Sequence, residues 1–290
     1  MEADRHRQLT FLVSFFILLL PVATHVQEPR AAPSSLITPA EKERFLLQAS
    51  IVSERQTPER PYAWRITLDD GKRKHDAAVE TEDGTTPTQR NYRFNVAAYE
   101  LDKALELHLV APSVVRTLDG RPASVTWWVD DVAMMERDRR EKKIEPPDAD
   151  RWNNQIQAVR LFDELTANPY RNIGPDRSLS ATDTGPPPDY LWMELLITRD
   201  WRLWLIDHTA TFRTRKQLEH PQSLTRCDRA LLGKLRELNK EAFQQKLAKY
   251  LSAEQLDVLE ARRALLVKHF DEQIARKGES AVLYDLPPRR

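Results

Sequence analysis

Glycine is scarce, with seven in 290 residues, and no G-x-G-x-x-G or G-x-x-x-x-G-K run occurs. Loops that wrap phosphate in backbone N–H groups need glycine where the phosphate meets the main chain, so this shortage argues against dinucleotide-binding and P-loop folds. Cysteine is scarcer still. Cys227 stands alone, which excludes an intrachain disulfide and a cysteine-rich metal site. Its place in a helical stretch predicts a buried small hydrophobe with an unreactive thiol. Excess charge of either sign is also missing. The 44 Lys and Arg balance the 44 Asp and Glu, so no net field draws the molecule to nucleic acid, and no nucleic-acid partner is expected. H-E-x-x-H and G-x-S-x-G are absent, and His25, His75, His220 and His269 have no ligand spacing between them. That argues against a zinc hydrolase and a serine hydrolase.

What is present begins at the N-terminus. Arg5 and Arg7 precede an apolar run from Leu9 to Val22, after which Gln27, Glu28 and Arg30 turn the chain polar. This is the pattern of an export signal, and Pro21 suits a signal peptide. The run is shorter than the roughly 20 residues that span a bilayer comfortably. No clean Ala-x-Ala site follows it, so a cleaved signal and an N-terminal anchor both stay open for residues 1–27. The rest is expected to be exported, in the periplasm or on the extracytoplasmic face, with membrane contact only through this segment. Residues 28–37 read as a spacer.

Folded structure is expected from Thr38-Pro39-Ala40-Glu41, which has the form of a capping box with proline at the first helical position. Leu46 to Ser53, Tyr62 to Leu68 and Lys74 to Thr81 then read as strands, the last two joined by the hairpin signal Asp69-Asp70-Gly71. Helical spacing of Val96, Ala97, Leu101, Ala104 and Leu105 predicts a helix from Phe94 to Leu107. Another hairpin, about Asp119-Gly120, joins Ser113 to Thr117 with Ala123 to Val129. The charged run Glu136 to Lys143 reads as a solvated connector. A helix over Asp148 to Ala167 follows, then strands over Leu191 to Ile197 and Trp201 to Ile206. Three helices close the chain, near Arg226 to Leu238, Lys240 to Tyr250 and Ala253 to Lys277. The expected plan is α+β and bilobal: a β-rich lobe with one helix over residues 38–133, and a larger helical lobe over 134–290 with an inserted loop at 175–190.

That element order is the order of protein-kinase-like folds. Three blocks carry a more specific resemblance: Val96-Ala97-Ala98-Tyr99-Glu100-Leu101-Asp102, the run from Ala123 to Val132, and Trp201-Arg202-Leu203-Trp204-Leu205-Ile206-Asp207-His208-Thr209-Ala210-Thr211-Phe212-Arg213. The chain resembles a bacterial exported family with a protein-kinase-like fold, distantly similar to HipA-type and phosphoinositide-kinase-like enzymes.

In that family the loop after the long helix reads N-T-D-R-N-x-G-N, then L-L-I; its Asp resembles the kinase base and its last Asn a metal ligand. Phosphoryl transfer relies on such groups because the protein mainly positions reactants and stabilises charge. Here the loop reads Asn168-Pro169-Tyr170-Arg171-Asn172-Ile173-Gly174-Pro175. Tyr170 stands where the resemblance implies the Asp, and a phenol with a pKa of about 10 is a poor base near neutrality. Counting forward puts Pro175 at the metal position. Anchoring instead on Glu194-Leu195-Leu196-Ile197 puts Glu194 there, the alignment preferred because it keeps the strand register. The resemblance also makes Asp207 the metal-binding Asp, aligns Glu80 with the phosphate-contacting Lys, and aligns Asn95 near its helix Glu partner. Asp207-His208 also reads as a buried structural pair. Trp127, Trp128 and Val129 fall at the connector and are the nucleotide-binding candidates, against an ordinary packing role for the tryptophans.

No catalytic set is intact. The resemblance therefore implies a degenerate kinase-like domain, a pseudokinase that binds a nucleotide or a protein partner through its inter-lobe cleft. Two alternatives stand beside it. One is an active atypical ATP-dependent phosphotransferase, with Glu194 and Asp207 holding the metal and Asp176, Asp183 or Asp189 supplying the carboxylate; the other is a structural envelope scaffold. No cofactor is certain; Mg or Mn with ATP is the set the resemblance implies.

Overall fold

The computed structural model describes residues 37–57, 60–82, 90–168, 171 and 194–287. Helix α1 (Pro39–Gln48) starts at the capping box expected there: Thr38 Oγ1 accepts from Glu41 N, and Glu41 Oε2 accepts from Thr38 N at 2.8 Å. The helix absorbs Leu46, which the sequence placed in the first strand. Phe45 and Leu46 are both buried against the sheet, and a strand would point them to opposite faces.

Strands β1 (Ser50–Thr57), β2 (Arg60–Asp69), β3 (Lys74–Glu80), β4 (Ser113–Leu118) and β5 (Arg121–Trp127) form a five-stranded antiparallel sheet in the order β1-β2-β3-β5-β4. Both hairpin signals act as the sequence implies. Gly71 (φ 82°) and the pair Asp119 (φ 48°) and Gly120 (φ 78°) take the left-handed conformations that tight turns require. Ile66, Leu68, Ala77, Val79, Ala123, Val125 and Trp127 lie on the face covered by α1. Arg116 ties α1 down further by donating to Leu46 O and Ala49 O, carbonyls the helix end leaves unpaired. The opposite face is polar, because the register pairs Arg65 with Ala78, Thr67 with Asp76, and Ala78 with Thr126.

Helix α2 (Arg93–Leu105) lies between β3 and β4 in sequence. Its apolar residues Phe94, Ala97, Leu101 and Leu105 join the core of the helical lobe, beside Leu161, Phe162, Leu231 and Phe243. That lobe contains a three-stranded sheet of β6 (Val132–Met135), β7 (Leu195–Thr198) and β8 (Leu203–Leu205), in the order β6-β7-β8. It also holds α3 (Glu136–Glu141), α4 (Ala149–Leu165), α5 (Arg229–Glu237), α6 (Lys240–Leu247), α7 (Ala253–Lys277) and α8 (Glu279–Val282). A short parallel pair, β9 (Cys227–Asp228) with β10 (Leu283–Tyr284), returns the chain end to the lobe. The lobes meet through main chain as well, since Leu205 N donates to Leu109 O at 2.8 Å.

The charged run at Glu136 is not a solvated connector. It is α3, and Glu136 is fully buried, held by Arg139 at 2.6 Å and Arg140 at 2.7 Å. Charges three and four residues apart meet on one helix face, and here they neutralise a carboxylate removed from water. Among the described residues no helix is long and apolar enough to cross a membrane; residues 1–36 lie outside them.

Cys227 is 1% exposed. Burial pushes its thiol well above the ordinary range, with the charge of Asp228 adding to this, and the S–H donates to Asp228 O at 3.4 Å. A thiolate is the reactive species, so the folded chain is expected to leave Ellman's reagent unreacted and to give one equivalent only in denaturant. Stoichiometric labelling of the native chain within minutes would contradict this burial.

Candidate functional site

The cleft side of the sheet is built from the end of β3 and the start of α2. Glu80 is the last residue of β3, and its Oε2 accepts from Asn95 Nδ2 at 3.2 Å; the same amide donates to Ser124 Oγ at 3.0 Å. The two positions that the resemblance aligns with a Lys–Glu ion pair thus do meet, as a carboxylate and an amide. Asn95 Oδ1 then accepts from His208 N at 2.7 Å, which carries the contact across to the other lobe.

Beyond β8 the chain turns sharply at Asp207, whose φ is 53°. Asp207 Oδ1 accepts from Thr209 Oγ1 at 2.6 Å and from Thr209 N at 3.3 Å, the local bonding by which a short acidic side chain supports such a turn. Its Oδ2 accepts from Arg90 Nη2 at 2.5 Å. Arg90 also pairs through Nε with Glu82 at 3.1 Å. Burial alone would depress Arg90, but Asp207, Glu80, Glu194 and Glu82 together raise its pKa further above its ordinary range.

A second guanidinium fills the floor. Arg171 is buried and donates to Asp163 Oδ1 at 3.1 Å, to Glu194 Oε2 at 3.3 Å and to Ile206 O at 2.8 Å. Its Nη2 lies 2.9 Å from His208 Nε2. Burial, then the Arg171 charge, lowers His208 well below the usual imidazole range against the pull of Asp207, so Nε2 of a neutral ring accepts this bond. Burial raises the Asp163 carboxyl, with Arg171 working against it.

Glu194 and Asp207, the two metal candidates, therefore lie in one charged network, and each has a guanidinium on a carboxylate oxygen. Among the described residues no group of three His, Cys, Asp or Glu has the arrangement of a metal site. Arg90 occupies Oδ2 of Asp207 and Arg171 occupies Oε2 of Glu194, so a cation at those two oxygens would compete with a guanidinium. Tyr170, Pro175 and the inserted loop 175–190 lie outside the described residues.

The three nucleotide candidates separate. Trp127 is buried on the α1 side, stacked on His75 at 3.6 Å between centroids and edge-on to Phe45. Val129 is buried with Ala111 and Leu196. Trp128 is 39% exposed and follows the register to the polar face. The Arg65 guanidinium lies 4.2 Å from its ring centroid and is ion-paired to Asp76.

Sequence reasoning passed over Arg90, Arg171 and Asp163. Arg171 carried a signal, since it directly follows the aligned base position and matches the Arg of N-x-D-R-N. Asp163 sits in the preceding helix, and Arg90 had no motif around it.

No family model matches the chain, and no curated protein matches it. Among solved structures, the Golgi casein kinase aligns with a TM-score of 0.59 at 11% identity, covering 86% of this chain and 78% of that one. The Golgi casein kinase with Mn/ADP bound aligns at 0.57 and 11%, covering 87% and 80%. The structure of hydra Fam20 with sugar aligns at 0.56 and 10%, covering 83% and 90%. At such identities the likeness shows the fold: the chain is a kinase-like domain, α+β, with an antiparallel sheet lobe and a helical lobe.

Proposed function

We propose that this domain is an exported pseudokinase, which has kept the kinase-like fold as a binding body and given up phosphoryl transfer. The observation that carries the reading is the Arg90 bridge between Glu82 and Asp207, which places a guanidinium on the carboxylate that would hold the metal. Two further departures agree with it. Glu80, a carboxylate, stands where a phosphate-contacting cation is needed, and a phosphate brought there would meet like charge. Tyr170 supplies a neutral phenol where a carboxylate base is needed. Export rests on the basic and apolar pattern of residues 5–22, and an extracytoplasmic site, where ATP is scarce, agrees with a lost activity. The function left to the domain is recognition of a protein partner at the inter-lobe cleft.

Thermal unfolding with and without saturating ATP plus Mg or Mn tests this. A ligand at about 100 times its Kd stabilises by about 2.7 kcal/mol, worth roughly 5–10 °C in a domain of this size. The expected result is no metal-dependent shift. A shift of that size, lost in Asp207→Ala, would overturn the pseudokinase reading and favour the atypical phosphotransferase.

A further inference from the structure

A second cavity, of about 640 Å³, has Trp127, Val129, Asp130 and Asp131 in its wall and none of Asp207, Glu194 and Asn95. Both lobes build it: α1 and α2, the stretch from Trp127 to Asp131, and the β7–β8 turn. Its volume is that of a small-molecule site. The walls are apolar and aromatic, with Val110, Pro112 and Val129 beside the indoles of Trp127 and Trp204.

The charges that line it sort into committed and uncommitted groups. Asp102 Oδ1 accepts from Leu109 N at 2.9 Å. Asp130 accepts from Trp127 Nε1 at 3.4 Å and lies 3.0 Å from His75 Nε2. Asp200 is bound by Thr198 at 2.6 Å and by Arg202 at 2.8 Å. Lys103 is held by Glu43 at 3.0 Å and Glu100 at 3.1 Å. At the mouth Arg199 and Asp131 are both exposed, of opposite sign, and joined by the bond from Arg199 N to Asp131 O. Lys42 differs from all of these. It is half-buried, its ammonium lies 5.0 Å from the Trp127 ring centroid, and no carboxylate lies within ion-pairing distance among the described residues.

We propose that this cavity binds a small aromatic acid, its ring against the indole and valine walls and its anionic group on Lys42. Such a ligand matches both halves of the lining: apolar surface leaves water, and the cation gains the counter-ion it lacks. Burial already lowers the Lys42 pKa, with Asp130 acting the other way, so an arriving anion meets a poorly solvated ammonium. Because the walls come from both lobes, the same ligand would touch both. The assignment is independent of cleft chemistry.

Isothermal titration of the full chain with 2-naphthoate and with neutral 2-naphthamide tests it. The expected result is one site, with naphthoate preferred about tenfold, a difference of roughly 1.4 kcal/mol. Lys42→Gln should abolish the preference, and Lys42→Arg, which keeps the charge, should retain it; circular dichroism confirms that each variant folds. Equal affinity for acid and amide, a preference unchanged in Lys42→Gln, or no binding of either probe would overturn the proposal.

Discussion

Replacing Arg262 with alanine is expected to destabilise the chain by about 3–5 kcal/mol, the range for breaking one side of a buried ion pair. Arg262 lies on α7 and is 0% exposed. Its Nη2 donates to Glu164 Oε2 at 2.9 Å and its Nε to Glu164 O, while Nη1 donates to Arg215 O at 2.9 Å and to Gln217 O. The Glu164 carboxylate also accepts from Glu219 N at 2.9 Å and His220 N at 2.6 Å. One guanidinium therefore joins α4, α7 and the strand-free stretch after Asp207. Alanine would strand a charged carboxylate and three carbonyls in a dry interior. Denaturant unfolding measures the loss, and a value under about 1 kcal/mol would show that water or a neighbour replaces the guanidinium. Pairing Arg262→Met with Glu164→Met separates the terms: if desolvation of the orphaned carboxylate dominates, the double variant should be more stable than Arg262→Met alone.

Arg171→Met is expected to cost a similar amount, about 3–5 kcal/mol, for the same reason at a different place. It leaves Asp163 and Glu194 buried without their shared cation and removes the donor to Ile206 O and His208. Its pH dependence sets it apart from Arg262→Ala. The Asp163 carboxyl is already raised above its ordinary 3.8 by burial, with Arg171 holding it down. Without Arg171 it rises further. For an acid raised in the folded state the unfolded chain holds fewer protons, so stability falls as pH climbs from about 4 through the raised value. Arg171→Met should therefore lie closest to the parent chain at acid pH and furthest from it at neutral pH. Asp163→Asn in the same background should flatten that slope, whereas a slope untouched by Asp163→Asn would place the titrating group elsewhere.

Much of the architecture was legible because it is local. The capping box at Thr38 and the hairpins at Asp69-Asp70-Gly71 and Asp119-Gly120 each fix structure within a few residues. The errors share a cause. Leu46 went to a strand and Glu136 to solvent because both are decided by what packs on them, the sheet in one case and two arginines in the other. The site was legible along motifs and opaque across them. Glu80 and Asn95 aligned to positions that meet, since each had a place in a pattern. Arg90 came from a stretch with no pattern, yet it reaches Asp207 across 117 residues of sequence. Arg171 lies within a motif, yet its role is set by Asp163, Glu194 and His208, which only the folded chain brings to it.

The path of α2 has a mechanical consequence. Phe94, Leu101 and Leu105 belong to the same core as Phe162 and Phe243, and Leu205 is bonded to Leu109 across the lobes. Swinging the lobes apart would hydrate those side chains at roughly 1.5–3 kcal/mol each. Enzymes that close on substrate keep such a swing inexpensive. Such a cost disfavours lobe opening, so under the binding role proposed above an incoming protein would meet a surface that needs little ordering on contact, and affinity would follow fit.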